Sequence, residues 1–263
     1  MRKAPFAGTT ISMDDLSLLR LQIEWGADEA LEDSPVDRLR PLAPPPTRAP
    51  RVEAARAMPE RAQAAVGTPG ERALAAASKA DTLDALKAAI GGLEGDPLRD
   101  MATNLVFASG DPHNGLLLVG GPPGADDDRS GLPFSGPEGA LLDRMLASVD
   151  LKRDAMLLAP LIPWRPPGGR VPNPGELQLY RPFLVRLIAL TAPERIVFWG
   201  AMAASTVLGA PHRSRTIGWA DGKIDGQTAK ILVLPVLSDI LKTPARRKDA
   251  WTGLRALRRA LDA

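Results

Sequence analysis

Four short apolar runs, Leu116–Gly120, Met156–Ala159, Arg195–Gly200 and Ile231–Pro235, recur along the carboxyl-terminal part of this chain, each bounded by glycine or proline. The stretches between them exceed the ~10 residues that a crossover between two parallel strands requires. Helical patterns fill these stretches at Pro137–Val149, Pro174–Leu190 and Ala201–Leu208, and another follows the last run at Pro244–Leu261. Pro174 and Pro244 suit first-turn positions, and Trp251, Leu254, Leu257 and Leu261 give the last helix an inward stripe. Strand and helix in alternation predict an α/β fold, a three-layer α/β/α arrangement with a four-stranded parallel sheet covered on both faces. Ligands of such sheets bind beyond the carboxyl ends of the strands, where Gly120–Asp128, Pro160–Gly169 and Val236–Thr243 fall.

A helical pattern at Glu71–Leu93 opens the main domain, residues 71–263. Residues 34–70 are rich in proline, alanine and arginine around Pro44-Pro45-Pro46 and read as an extended linker. Residues 1–33 hold an amphipathic helix at Ser12–Leu31, with Leu16, Leu19, Ile23, Ala27 and Ala30 on one stripe, which docks either on its own core or on a protein partner. No apolar run reaches the ~18 residues of a membrane span, so a cytoplasmic monomer, at most nucleoid-associated, is expected. The 33 lysines and arginines against 31 acidic residues say little about an anionic partner. The sequence contains no cysteine, which excludes disulfides, thiolate metal sites and a cysteine nucleophile.

Several blocks carry a resemblance, in order: Ala102-Thr103-Asn104-Leu105-Val106-Phe107, Gly120-Gly121-Pro122-Pro123-Gly124-Ala125, Leu132-Pro133-Phe134-Ser135-Gly136, Trp164-Arg165-Pro166-Pro167-Gly168, Arg181-Pro182-Phe183, and Pro244 through Trp251. From about Leu93 onward the chain resembles the iron-sulfur (family 4) uracil-DNA glycosylases. The resemblance implies a pocket for an extruded base, since a base cannot be processed inside the stack. It makes Phe134 a stacking wall, although a buried phenylalanine is also ordinary core. The base pocket expected from it comprises Gly121, Pro123, Gly124, Ala125, Phe134, Pro160 and Ser238. Asp127 and Asp128 match the family's acidic pair, which orients water or stabilises a cationic sugar; the alternative is an acidic turn or helix cap.

The departures fall on the polar chemistry. Gly121 stands where the family has a glutamate, and Pro160 where an asparagine reads the uracil edge, so side-chain donor and acceptor are lost there. Leu237-Ser238-Asp239-Ile240-Leu241 replaces a His-Pro motif, and His113 and His212 read as surface turn residues. Three lost contacts at ~3 kcal/mol each would slow excision by more than about a millionfold, even allowing for non-additivity. The cluster cysteines align with about Leu93, Asp96, Trp164 and Tyr180, so no iron-sulfur cluster or other cofactor is expected; Trp164 and Tyr180 would fill the vacated space as an apolar plug.

Positive residues near the strand ends, Arg165, Arg170, Arg213, Arg215 and Lys242, suit DNA phosphates, and Ile240 or Leu241 suits a minor-groove wedge. Arg246, Arg247 and Lys248 read equally as phosphate contacts or as a solvated helix face. Three functions remain open: a DNA- or damaged-base-binding protein with weak or no uracil excision, an active glycosylase of altered base specificity, and a non-catalytic protein recruiting a partner through residues 12–31.

Overall fold

The computed structural model describes residues 67–211 and 217–262. The expected amino-terminal helix, most of the linker, and His212, Arg213 and Arg215 lie outside the described residues. Every described residue belongs to one compact unit.

One sheet runs in the order β1-β3-β2-β4-β6-β5, built from β1 (Ser109–Gly110), β2 (Leu116–Val119), β3 (Leu157–Ala159), β4 (Arg195–Trp199), β5 (Ala220–Ile224) and β6 (Gln227–Leu234). The inner four strands are the four predicted runs, and they are parallel: Leu117 lies opposite both Leu157 and Ile196, and Ile196 opposite Ile231. The sheet is wider than expected because an antiparallel strand is added at each edge, β1 on β3 and β5 on β6. Asp225 and Gly226, at φ 45° and 90°, make the two-residue turn between β5 and β6, whose twist matches that of the strands it joins.

The helices are α1 (Pro69–Lys79), α2 (Leu83–Gly91), α3 (Ala125–Ser130), α4 (Gly136–Ala147), α5 (Pro174–Thr191), α6 (Ala201–Leu208), α7 (Leu237–Lys242) and α8 (Pro244–Leu261). The single helix expected over Glu71–Leu93 is divided into α1 and α2. Thr82 starts the second by accepting the Ala85 amide on its hydroxyl at 3.1 Å. Neither α3 nor α7 was expected; six residues are too few to show a helical period.

Side chains of the inner strands alternate between two cores, as the pleat requires. Leu117, Val119, Ile196 and Phe198 pack toward Leu86, Ile90, Phe183 and Leu187 of α2 and α5. Leu116, Leu118, Val197 and Trp199 pack toward Leu142, Ile240, Leu254 and Leu257 of α4, α7 and α8. Arg181 joins α5 to α6, donating to the carbonyls of Thr206 and Val207 at 2.9 and 3.0 Å. Among the described residues no helix is long and apolar enough to cross a membrane.

Candidate functional site

Strands β2 and β3 keep pairing beyond their ends: the Gly120 amide donates to the Ala159 carbonyl at 2.9 Å, and that of Leu161 to Gly121 at 3.0 Å. This register sets the Gly120–Gly124 loop beside Pro160, and α7, which follows β6, closes the opposite wall. The result is a cleft of about 250 Å³ at the carboxyl edge of the sheet. Gly121, Pro123, Gly124, Phe134, Pro160 and Ser238 all line it. Ala125 does not; it borders an adjoining groove with Leu241 and Lys242.

Phe134 is clamped at both ends. Its ring lies so close to Gly120 that a Cβ added there would sit 2.7 Å from Cζ, and a Cβ on Gly139 would sit 1.8 Å from its carbonyl oxygen. Arg153 holds the same carbonyl, donating from Nη2 to Phe134 at 2.8 Å and to the Gly139 carbonyl at 3.1 Å, while its Nε binds Asp143 at 2.7 Å. Phe134 also has a positive φ of 56°, a conformation that a bulky residue keeps only when its surroundings over-determine it. Core membership and a place on the cleft wall are therefore both true of this ring.

The acidic pair separates into two roles. Asp127 lines the cleft, but its carboxylate accepts the Gly124 amide at 2.8 Å and the Ser135 amide at 2.6 Å, the first satisfying the free N-cap amide of α3. Asp128 is buried away from the cleft lining, where its Oδ1 accepts the amides of Thr103 and Asn104 at 2.7 and 3.1 Å. Both carboxylates thus brace loops with their oxygens, and Asp127 alone also caps a helix.

A third carboxylate, unmarked in the sequence reading, borders both the cleft and the groove. Glu138, in the first turn of α4, has its carboxyl pushed above the ordinary glutamate range by lost solvation first and by the Asp127 charge second, with Lys242 opposing. An unfolded chain ionises this group at its ordinary value, so its contribution to stability falls as pH rises from there through the raised folded value. The stability of the domain should therefore fall over that same pH window and lose this step in Glu138→Gln; an unchanged pH profile in the variant would refute the assignment.

Arg170 lines the cleft, and its guanidinium binds Glu176 through both Nη atoms at 2.8 and 2.5 Å. The Arg170 hydrogen bonds hold the Glu176 carboxyl below the usual glutamate range against the opposing effect of burial, helped by the Asn173 amide that it also accepts. Arg165 is half-buried, is not on the cleft, and its Nε has no partner among the described residues. Ile240 is a correction: at 1% exposure it is core on the α7–α8 side and cannot act as a wedge. Leu241, 38% exposed at the mouth of the groove beside Lys242, keeps that possibility. His113 is exposed in a turn that its amide makes with Asp111 at 2.8 Å, at the opposite end of β2.

The positions aligned with cluster cysteines do meet in space. Leu93, Trp164 and Tyr180 belong to one core, and Asp96 is buried among them at 6% exposure. The Trp164 indole donates to Asp96 Oδ2 at 2.8 Å, while the Tyr180 hydroxyl and the Leu98 amide, at 3.1 Å, donate to Oδ1. Burial and the Asp96 hydrogen bond push the Tyr180 hydroxyl far above its ordinary pKa, so it stays a donor. The plug is thus polar at its centre rather than wholly apolar. These residues do not fit an iron-sulfur cluster: four side chains fill the positions, none is a thiol, and the single carboxylate already holds three protein donors.

The uracil DNA glycosylase superfamily model matches residues 107–257, more than half of the chain, and the chain belongs to that superfamily. A type-4 uracil-DNA glycosylase of Pyrobaculum aerophilum is 29% identical over 159 residues, which is 58% of this chain and 81% of that protein. Its counterpart in Archaeoglobus fulgidus is 31% identical over 58% of this chain and 79% of its own length, and that of Thermotoga maritima 32% identical over 48% and 69%.

Proposed function

We propose that this chain is a base-excision-type DNA-binding protein that receives an extruded base in the Phe134 cleft and removes uracil weakly or not at all. The observation that carries the reading is the clamped Phe134 ring on a cleft sized for a single heterocycle, walled by prolines and glycines where uracil-reading side chains would stand. Leu241 and Lys242 on the adjoining groove supply an apolar tip and a phosphate contact, and Arg170 supplies a polar wall. The relatives' names add support, since the similar proteins of Pyrobaculum and Archaeoglobus are uracil-DNA glycosylases.

A second reading, an active glycosylase of altered specificity, is favoured by Glu138, a carboxyl of raised pKa bordering the cleft. A screen of the full chain against oligonucleotides carrying uracil, hypoxanthine, xanthine or an abasic site, read for both binding and base release, separates the two. Salt-sensitive binding without release supports the first. Release abolished by Glu138→Gln establishes the second, and absence of binding at low salt removes both.

A further inference from the structure

A donor without an acceptor sits in the cleft wall. Trp199 ends β4, is 1% exposed, lines the cleft, and its Nε1 has no partner among the described residues. Two other tryptophans satisfy theirs, Trp164 on Asp96 at 2.8 Å and Trp219 on the Ala256 carbonyl at 3.1 Å. A buried N–H left unpaired is costly, and native structures rarely keep one without a use. Several other donors around the cleft are spent, the Gly120 amide on Ala159, the Gly124 amide on Asp127 and the Arg170 Nη atoms on Glu176, while the Ser238 hydroxyl, also in the lining, can both donate and accept. Pro122, Pro123, Pro133 and Pro160, also in the lining, have no N–H to offer.

We infer that the Trp199 indole N–H is a base-reading donor of this cleft, binding an exocyclic carbonyl oxygen of the ring stacked on Phe134. This inference rests on the cleft being a base pocket, and it deepens that reading. An indole donates only, so it accepts an oxo group and rejects an amino group, which would set two donors against each other. At that position the cleft thereby favours a carbonyl over an amino substituent, and it does so with a side chain from β4.

The test uses the full chain labelled with 15N at its tryptophan indoles, titrated with a single-stranded oligonucleotide carrying one uracil and with its abasic counterpart. The Trp199 indole proton, assigned by its disappearance in Trp199→Phe, should move downfield with uracil only, while those of Trp164 and Trp219 stay. Trp199→Phe, which keeps an aromatic ring, should lose about tenfold of the preference for uracil over abasic DNA, the effect of one hydrogen bond. A Trp199 resonance unmoved by an oligonucleotide that binds in preference to the abasic one overturns the inference and leaves the base pocket standing. Equal affinity for uracil and abasic DNA, or no affinity for either, removes the base pocket and this inference with it. Should Trp199→Phe fail to fold, its resonance is assigned by elimination from substitutions of the other four tryptophans, and the titration of the unsubstituted chain still decides.

Discussion

Asp96→Ala should destabilise the domain by about 3–5 kcal/mol, the largest effect of any single polar substitution, because it strands three buried donors at once. The Trp164 indole, the Tyr180 hydroxyl and the Leu98 amide would each lose their acceptor inside a core that admits no replacement. Tyr180→Phe and Trp164→Phe should cost less, about 1–3 kcal/mol, since each removes a donor and leaves Asp96 with two others. Urea unfolding followed by far-ultraviolet circular dichroism measures all three. Were Asp96→Ala no worse than the two aromatic substitutions, the network would not be what holds this part of the core.

Removing the Phe134 ring should weaken binding of a uracil-bearing oligonucleotide by about 5- to 150-fold, which corresponds to the ~1–3 kcal/mol that one aromatic–base stack contributes. Gly120→Ala should reproduce much of that loss without touching the ring's chemistry, because the new Cβ would fall 2.7 Å from Phe134 Cζ and drive the ring from its place. Fluorescence anisotropy on variants shown to be folded reads the effect. If both variants lose stability but bind with unchanged affinity, the ring is core alone and the base-pocket reading fails.

How much of this could be read from the chain depends on length scale. The parallel strands were legible because β2, β3, β4 and β6 are near-continuous apolar runs, which only a sheet buried on both faces demands. Edge strands escaped for the converse reason: β5 reads Ala-Asp-Gly-Lys-Ile and is mostly exposed, so its one signal was the Asp225-Gly226 turn that follows. Loops after the strands were located correctly, yet six-residue helices within them, α3 and α7, stayed hidden, and with α7 the burial of Ile240. Cleft-lining residues that adjoin Phe134 in sequence or follow a strand directly were legible in the chain. Glu138 reads as an ordinary first-turn acid, and Trp199 as one more strand residue. Their place in the cleft arises from the fold of α4 and the end of β4, which spacing alone does not encode.

The Asp96 knot also bears on how the protein comes into being. A domain pinned by an inorganic cofactor is finished only when cellular machinery delivers that cofactor, and it can be undone by oxidants or chelators. Here the pin consists of an acid, an indole and a phenol already encoded in the polypeptide. This part of the molecule should therefore fold without a delivered metal centre, and iron starvation should leave its yield and melting behaviour untouched.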